Sequence, residues 1–443
     1  MDKPAKLSLF DFTMIVVGLV IGMGIFRTAS TSAKAANDPA IFFAAWIAGG
    51  LIALCGALTF AEIGSRYPVT GGYYRIFAYA YHPSIAFSIN CIILISNAAS
   101  LSGVAIIGAG YISQVLFSNP VPDILKASIA MSAIILFYGI NLMGLKTSAK
   151  TQNLLMLVKL SMILMLIVAL FIPSIHHTGQ PLTVVSPTGW TGYLKNLGAA
   201  LVAVSFTYGG YQQTINFGSE VDKPARNVPK GIFMGIAIII SLYLLINYSY
   251  YKTLGFDELK AKNEIAGVVA AKLFGKTGGN IFSGLLFLSV LAYVNALLMS
   301  NPRVMCAMSE DGVLPWIFQK KSDKRQVLVL SLTAFAITCI VIIFFANTFD
   351  KILSFTIFLD CIGMATSAGA IFKLRKKTRD RDPREIYVMK GYPVIPILFI
   401  AAYIFVGLSI AIDKPFTALT GIGVLAIFMS IYFITSKFRI ASK

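Results

Sequence analysis

Long runs of apolar residues alternate with short polar segments along almost the whole chain. A helix needs about 20 apolar residues to cross the hydrocarbon core of a bilayer, and the pattern predicts twelve such helices in an all-α membrane protein. Their first residues lie near Ser8, Ala40, Ser84, Leu125, Asn153, Leu197, Gly231, Asn280, Val327, Ile352, Val394 and Phe416. The sequence therefore predicts a single transmembrane domain over residues 1–443.

Glycines interrupt two of these predicted helices. Gly22 and Gly24 lie in the first helix, within residues 20–26, and a Gly-Gly pair lies in the sixth, within residues 206–211. Glycine weakens a helix by about 1 kcal/mol relative to alanine, and opened backbone is tolerated in a membrane only where it lines a cavity or is buried in protein. Two broken helices at matching places predict the substrate site of a transporter. The alternative is that the glycines only allow close helix packing.

The two interruptions divide the chain into corresponding halves. Residues 8–174 contain predicted helices 1–5, residues 196–373 contain helices 6–10, and residues 393–436 contain helices 11 and 12. Because the first half begins on the side of the N-terminus and the second begins on the opposite side, the halves are predicted to form an inverted repeat. In such repeats the substrate site lies near the midplane of the bilayer.

Composition and charge support this membrane assignment. The chain is 57% hydrophobic and 13% charged, whereas soluble domains carry about 25% charged residues. Most of the 37 Lys and Arg residues lie at the termini or in alternate loops, including residues 373–390. The positive-inside rule then places both termini in the cytoplasm. This distribution makes the net charge of +18 a topology signal rather than a sign of nucleic-acid binding, although residues 373–390 could also touch anionic lipid.

The sequence offers little for metal, disulfide or enzyme chemistry. The five cysteines lie in or at the ends of apolar segments and form no CxxC pair, so neither a zinc site nor a disulfide framework is expected. His176 and His177 have no further His or Cys nearby. No Ser/His/Asp set or pair of intramembrane acids indicates catalysis. We expect no cofactor, no metal and no enzymatic activity.

Four motifs resemble those of the amino acid–polyamine–organocation (APC) transporters, in particular the L-type and bacterial amino acid permeases. Residues 22–26 (Gly-Met-Gly-Ile-Phe) are similar to the family's Gly-Ser-Gly-Ile-Phe. The other three motifs are Glu-Ile-Gly-Ser-Arg-Tyr-Pro at 62–68 with Gly-Gly-Tyr at 71–73, Phe-Thr-Tyr-Gly-Gly-Tyr at 206–211 followed by 220–229, and Asn-Pro-Arg at 301–303 followed by 310–315. The resemblance implies a LeuT-type fold, a 5+5 inverted repeat in which helices 1 and 6 are broken.

The resemblance also implies a site for an amino acid. Free amides after the first break suit a carboxylate, and free carbonyls before the two breaks suit an ammonium. The implied amides are those of Gly22, Met23 and Gly24, and the implied carbonyls are those of Val20, Ile21, Phe206, Thr207, Tyr208 and Gly209. Met23 stands where the family usually has serine, so backbone binding is expected to remain while one hydroxyl contact is lost.

Three further residues complete the implied site. Phe206 resembles the aromatic gate that closes over bound substrate and excludes water; the alternative is a phenylalanine that faces lipid. Asn97 and Gln212 lie on helices that face the site in this family, and they either contact the substrate or join helices.

Lys159 lies within the fifth predicted helix, in Leu-Val-Lys-Leu-Ser. A charge inside a membrane helix costs at least about 2.5–3.5 kcal/mol, which indicates a function. By resemblance, its ammonium takes the place of a sodium ion and ties helix 1 to helix 8 near Asn295. It either releases its proton and couples transport to protons, or stays charged in an exchanger. The alternative is a lysine that snorkels to the cytoplasmic surface.

Three other charged residues lie near the predicted hydrocarbon. Asp360 and Arg27 either belong to an outer gate or proton relay, or make ordinary contacts between helices. Glu62, at the end of the second helix, is expected to pair with an arginine of a cytoplasmic loop in a structural role.

The sequence predicts a sodium-independent secondary transporter of small or neutral L-amino acids in the inner membrane of a bacterium, working by exchange or proton coupling. A transporter of cationic amino acids or polyamines is the alternative within the family, and a sensor without flux is the alternative outside it. The loop at 117–123 lacks cysteine. A disulfide-linked heavy chain, which the family's heteromeric animal members carry, is therefore not expected; the implied partners are the amino acid and the bilayer.

Overall fold

A computed structural model describes residues 6–22, 24–69, 71–117, 121–171, 189–262, 265–322, 324–345, 349–379 and 386–441. Within these ranges the chain is almost entirely helical and contains no β-strand; a single β-bridge joins Leu7 to Val221. Residues 172–188, including His176 and His177, lie outside the described ranges, and so does Met23. The all-α prediction is confirmed for the described residues.

The described residues form fourteen α-helices. The first eight are α1 (Leu9–Val20), α2 (Gly24–Ala36), α3 (Pro39–Arg66), α4 (Gly72–Ala80), α5 (Pro83–Leu116), α6 (Asp123–Leu142), α7 (Leu145–Val168) and α8 (Gly189–Tyr208). The remaining six are α9 (Pro224–Ala261), α10 (Ile265–Glu310), α11 (Val329–Phe345), α12 (Phe349–Lys377), α13 (Val394–Asp413) and α14 (Pro415–Ala441). Short 3₁₀ helices cover Ala169–Phe171, Tyr211–Asn216, Gly218–Glu220 and Trp316–Gln319.

Nine helices in the described part of the chain are long and apolar enough to span a membrane. Shorter apolar helices cover Leu9–Val20, Ile265–Gly275 and Val329–Phe344. Three predicted spans are missing from these nine. The first is divided between α1 and α2, the sixth ends at a break after Tyr208, and the ninth corresponds to the shorter helix Val329–Phe344. Several helices also begin earlier than predicted, since they include polar turns before the apolar run; α7 begins at Leu145 rather than near Asn153.

The two broken segments lie together in the interior. Helix α1 packs against α7 and α9, and α2 packs against α8. Nine consecutive residues of α1, from Phe12 to Val20, are buried. Around these segments, α3 contacts α8 and α9, while α5 contacts α10, α11 and α12. An interior placement lets opened backbone find protein partners instead of lipid.

Three groups of ion pairs join segments that are distant in the sequence. Leu7 donates its amide to the Glu220 carbonyl at 2.7 Å, and Glu220 binds Arg303 through its carboxylate at 2.7 Å. Arg75 pairs with both Glu310 and Asp311. These contacts connect Leu7 to the segment after α8, that segment to α10, and α4 to the end of α10.

Glu62 forms the most buried of these groups. Its side chain is fully buried and accepts hydrogen bonds from Arg66 Nε at 2.7 Å, from Arg375 Nη2 at 2.8 Å and from the Met389 amide at 2.9 Å. Arg66 also donates to Thr378 Oγ1 at 2.7 Å. The predicted pairing of Glu62 with an arginine is confirmed, and the contacts fasten α3 to the end of α12.

Replacing Glu62 with glutamine is expected to lower the free energy of unfolding by about 3–5 kcal/mol, because it leaves the guanidinium groups of Arg66 and Arg375 without their buried counter-charge. The matched control is Glu310→Gln, which removes an exposed pair that contributes about 1 kcal/mol or less. Thermal unfolding of both purified variants in detergent provides the measurement. Equal losses of stability in the two variants would contradict this assignment.

Candidate functional site

A cavity lies where the breaks of the two helical segments meet. Its volume is about 50 Å³. One water molecule needs about 10–15 Å³, so the cavity is small. The lining comes from both broken segments and from α5, α10, α12 and α13. The residues are Leu19, Val20, Gly22, Gly24, Asn97, Ser100, Val104, Ser205, Phe206, Thr207, Gly209, Gly210, Gln212, Gln213, Tyr293, Ile357, Asp360, Met364 and Tyr403.

The first break separates α1 from α2. Ile21 still donates its amide to the Val17 carbonyl at 2.8 Å, whereas the Gly22 amide turns back to the Val20 carbonyl at 2.8 Å. Helix α2 then begins at Gly24. The amides of a first helical turn have no acceptor within their own helix, and the helix dipole is positive there. The start of α2 therefore presents donors that suit an anionic group.

The second break follows α8, which ends at Tyr208. Gly210 has φ of 113°, and its amide donates to the Gln212 side-chain oxygen at 2.9 Å. The chain continues as a 3₁₀ helix over Tyr211–Asn216. A Cβ atom at Gly210 would lie 2.2 Å from the Leu19 carbonyl oxygen. Only glycine allows both this backbone conformation and this close approach to α1.

Side chains join the two breaks directly. The Tyr243 hydroxyl lies 3.3 Å from the Val20 carbonyl and 3.2 Å from the Thr207 carbonyl. Thr28 Oγ1 and Thr207 Oγ1 are 2.5 Å apart, so one hydroxyl donates to the other. All three side chains are buried. The opened ends of α1, α2 and α8 therefore behave as one hydrogen-bonded unit.

Most of the predicted substrate-binding residues line the cavity: Val20, Gly22, Gly24, Asn97, Phe206, Thr207, Gly209 and Gln212. Two do not. The Ile21 carbonyl accepts from Lys159 Nζ. Tyr208 packs against Tyr243 with ring centroids 5.0 Å apart, and its hydroxyl donates to the Trp46 carbonyl at 3.4 Å. Met23 lies outside the described residues. Phe206 is partly buried and lies at the cavity wall, where its predicted role as a gate stays a prediction.

A chain of amides supports one wall of the cavity. Gln213 Nε2 donates to Asn97 Oδ1 at 2.8 Å, and Asn97 Nδ2 donates to Asn301 Oδ1 at 2.7 Å. Asn97 thus joins α5 to α10 and to the segment after α8 while also facing the cavity. Sequence reasoning named Gln212 but missed its neighbour Gln213. Gln213 and Asn301 could have been noticed as further amide side chains near apolar segments.

Lys159 is fully buried on α7. Its ammonium donates to the Ile21 carbonyl at the end of α1, where the negative end of the helix dipole favours a cation. The described residues place no carboxylate within ion-pair distance of it. Because the side chain is completely enclosed, the snorkelling alternative does not match this position. Lys159 therefore holds α1 from behind the cavity.

Asn295 takes part in a different network. Its side-chain amide donates to Gln152 Oε1 at 2.9 Å and to the Ser148 carbonyl at 3.1 Å, and its oxygen accepts from Asn141 at 2.9 Å. This network joins α6, α7 and α10, whereas Lys159 donates to the Ile21 carbonyl. The structure thus brings Lys159 to helix 1 as predicted by resemblance, but links Asn295 to other partners.

Asp360, whose role the sequence does not decide, lines the cavity. The side chain is half-buried on α12, and it accepts a hydrogen bond from Ser96 Oγ of α5 at 3.1 Å. Beside it, Ser100 Oγ and the Tyr293 hydroxyl are 2.8 Å apart. Neither of those two was predicted, because their approach depends on how α5 packs against α10. The side chain of Arg27 is outside the described set.

The described residues contain no group of three or more His, Cys, Asp or Glu side chains that could hold a metal ion. What the cavity does offer is backbone donors at the start of α2, backbone acceptors at the end of α8, and one carboxylate, that of Asp360, from α12. Such a set complements a small molecule that carries both an anionic and a cationic group.

Comparison with known proteins agrees with this chemistry. The amino acid permease family model matches residues 7–436. The chain is 30% identical to the serine/threonine exchanger SteT of Bacillus subtilis over 406 residues, which cover 90% of this chain and 89% of that one. It is 24% identical to the branched-chain amino acid permease BcaP of the same bacterium, covering 91% and 88% of the two chains. It is 26% identical to the human cystine/glutamate transporter, covering 94% and 82%.

Replacing Gly24 with alanine tests the contact between the breaks. The new Cβ would lie 2.9 Å from Thr207 Oγ1 and 3.1 Å from Thr207 Cα, so the two segments must separate. We expect the free energy of unfolding to fall by about 1–3 kcal/mol, as for other overpacked sites. Gly110→Ala on α5 is the control: nothing lies within 4 Å of its Cβ, and alanine in a helix adds up to about 1 kcal/mol. Thermal unfolding that ranks the variants in the opposite order would contradict the contact.

Proposed function

We propose that this chain, which belongs to the amino acid permease family of the APC superfamily, is a sodium-independent secondary transporter of small neutral L-amino acids. It is an integral membrane protein of a family of transporters rather than enzymes. The proposed architecture is the LeuT-type fold of twelve spans, in which residues 8–174 and 196–373 form the inverted repeat. Transport proceeds by alternating access, through exchange or proton coupling.

One observation carries the proposal: the breaks of both segments open onto the same cavity. Gly22 and Gly24 line it from the first break, and Thr207 and Gly209 line it from the second. In transporters of this kind, half-helix ends point at charged groups of the substrate near the midplane. An amino acid is the substrate that presents a carboxylate and an ammonium about as close together as these ends are.

In this proposal the amino acid's carboxylate lies at the start of α2, against the amides that follow Gly22. Its ammonium lies at the carbonyls of residues 206–209 and of Val20. Several of these carbonyls already accept bonds within the protein: Val20 and Thr207 from Tyr243, and Ile21 from Lys159. A carbonyl oxygen has two lone pairs. The Thr207 carbonyl therefore keeps one for a bound ammonium, whereas the Val20 carbonyl already accepts from both Tyr243 and the Gly22 amide, so an ammonium there displaces one of these donors.

The size of the cavity supports a small side chain. Met364, Tyr403 and Ile357 contribute apolar side chains to its lining, and its volume is about 50 Å³. The similarity to a serine/threonine exchanger points in the same direction. Serine, threonine and alanine are accordingly the first substrates to test.

Sodium independence rests on Lys159. Its buried ammonium donates to the Ile21 carbonyl and supplies a fixed positive charge at the point where α1 ends. A cation held covalently by the chain removes the need for a metal ion there. If the ammonium keeps its proton throughout the cycle, the protein exchanges amino acids; if it releases the proton, transport is coupled to a proton gradient.

The proposed orientation places both termini in the cytoplasm of a bacterium, with the protein in the inner membrane. The ion pairs of Glu220 with Arg303 and of Arg75 with Glu310 then lie at the cytoplasmic end. They join segments that must separate when the cavity opens to that side. Alternating access would therefore require these partly exposed pairs to break and re-form during each cycle.

One observation favours a second candidate, a transporter of cationic amino acids. Asp360 lines the cavity, and the described residues offer it no basic partner. A carboxylate in this position could pair with a second ammonium on the substrate. The small cavity volume counts against long side chains such as that of lysine.

Reconstitution into liposomes tests the proposed function. Uptake of labelled serine should be saturable, unaffected by replacing sodium with potassium, and stimulated either by amino acid inside the vesicles or by an acidic exterior. Stimulation by internal substrate alone indicates exchange, and stimulation by acid alone indicates proton coupling. The absence of saturable flux for every amino acid and polyamine would refute transport.

Replacing Lys159 with methionine removes the charge and leaves the buried Ile21 carbonyl without its donor. The end of α1 is then no longer held beside the cavity by a bond worth about 1–3 kcal/mol, and because the site must be ordered again on binding, we expect the affinity for serine to fall about tenfold or more. Lys150→Met on the same helix is the control, because Lys150 is exposed. Binding of labelled serine to the purified proteins gives the comparison. Equal affinities in the two variants would show that Lys159 does not hold the site.

A further inference from the structure

We propose that Asp360 selects the substrate's side chain by accepting a hydrogen bond from a donor on it, a hydroxyl or an ammonium group. This inference rests on the proposed function and adds the substrate class. It predicts that the protein prefers amino acids with a donor near the β or γ carbon to aliphatic ones of similar size, and that it rejects acidic ones.

Asp360 lies on a wall of the cavity that the side chain of a bound amino acid can reach. The groups proposed to bind the amino acid's carboxylate and ammonium lie at the breaks beside α2 and α8. Asp360 belongs to α12 and contributes to the wall formed with α5 and α10. Tyr293 of that wall packs against the first break, 3.4 Å from where a Cβ of Gly22 would lie. A side chain that leaves the α-carbon away from the breaks therefore meets this wall after a short distance.

The polar side chains of this wall differ in how far their hydrogen-bonding capacity is used. Ser100 and Tyr293 satisfy each other at 2.8 Å, whereas Asp360 receives one bond, from Ser96 to Oδ1. Within the described part of the chain, Oδ2 receives no hydrogen bond. A carboxylate has about four lone-pair sites for donors. Asp360 is thus the polar group of this wall with the most unused capacity to accept.

The charge of Asp360 is not balanced by a basic side chain of the described residues. Among the described residues, no Lys, Arg or His forms an ion pair with Asp360. Lys159 is turned to the Ile21 carbonyl and does not line the cavity, so it does not neutralise the acid. A partly buried carboxylate is unfavourable without a partner. A donor on the substrate provides that partner, while a second carboxylate on the substrate would be repelled.

The test compares four ligands with the same backbone groups: L-alanine, L-serine, L-2,4-diaminobutyrate and L-aspartate. Each competes with labelled L-serine for purified wild-type protein and for Asp360→Asn, which keeps the shape of the side chain but removes its charge. In the wild type, serine or diaminobutyrate should bind more tightly than alanine, and aspartate more weakly. If serine is preferred over alanine more strongly than diaminobutyrate is, the donor is a hydroxyl. If diaminobutyrate is preferred more strongly, the donor is an ammonium group.

In Asp360→Asn we expect the preference for the donor ligand over alanine to fall about tenfold, since a hydrogen bond to a charged group is stronger than one to a neutral group. The affinity for alanine should stay within about twofold, which also shows that the variant is folded. Asp257→Asn is the control, because Asp257 is an exposed acid that pairs with Lys260. Its preference should equal that of the wild type.

An unchanged preference in Asp360→Asn would overturn the inference, and so would wild-type protein that binds aspartate as tightly as serine. A variant that changes only the pH dependence of alanine transport would also overturn it. If Asp360→Asn does not fold, Ser96→Ala takes its place, because it removes the hydrogen bond from Ser96 to the carboxylate and should alter the same preference. Failure of the proposed function is separate: then no amino acid binds the wild type.

Discussion

The structure depends on one constraint: peptide groups opened inside a membrane must find partners within the protein. Two segments break their helices at the same place, and each break frees donors and acceptors that lipid cannot satisfy. Tyr243 meets carbonyls of both breaks, the hydroxyls of Thr28 and Thr207 meet each other, and Lys159 meets the carbonyl that ends α1. The backbone donors and acceptors of the breaks that have spare hydrogen-bonding capacity face a small cavity. A zwitterion bound there would provide their missing partners.

This arrangement divides the site into two parts with different tasks. The breaks offer mainly backbone groups, which any amino acid can use and which depend little on side-chain identity. The wall of α5, α10 and α12 offers side chains, with Ser100 and Tyr293 paired and Asp360 partly free. Recognition of the shared backbone and discrimination between side chains can therefore change separately. That separation fits a family whose relatives carry names as different as a serine/threonine exchanger and a cystine/glutamate transporter.

The sequence predicted the part of the site that depends on local backbone. Glycine spacing located both breaks, and a charge in an apolar segment singled out Lys159. The sequence did not predict Ser100, Tyr293 or Gln213 as cavity residues, because their positions depend on how distant helices pack. Tyr208 shows the same limit: one residue corresponds to about 100° around a helix, so it points to Trp46 while its neighbours Thr207 and Gly209 line the cavity. Asn295 was expected beside Lys159 by resemblance, whereas its side chain bonds Asn141, Ser148 and Gln152.

The most direct test of the central claim is an experimental structure of the protein with bound L-serine, at a resolution that shows the ligand's orientation. We expect the carboxylate of serine to lie within hydrogen-bond distance of the Gly24 amide. Its ammonium should lie at the carbonyls of residues 206–209. A second cavity, lined by Glu220, Arg303 and Lys321, offers a different basic environment for a carboxylate. Serine bound there, with the space between the breaks empty, would contradict the account.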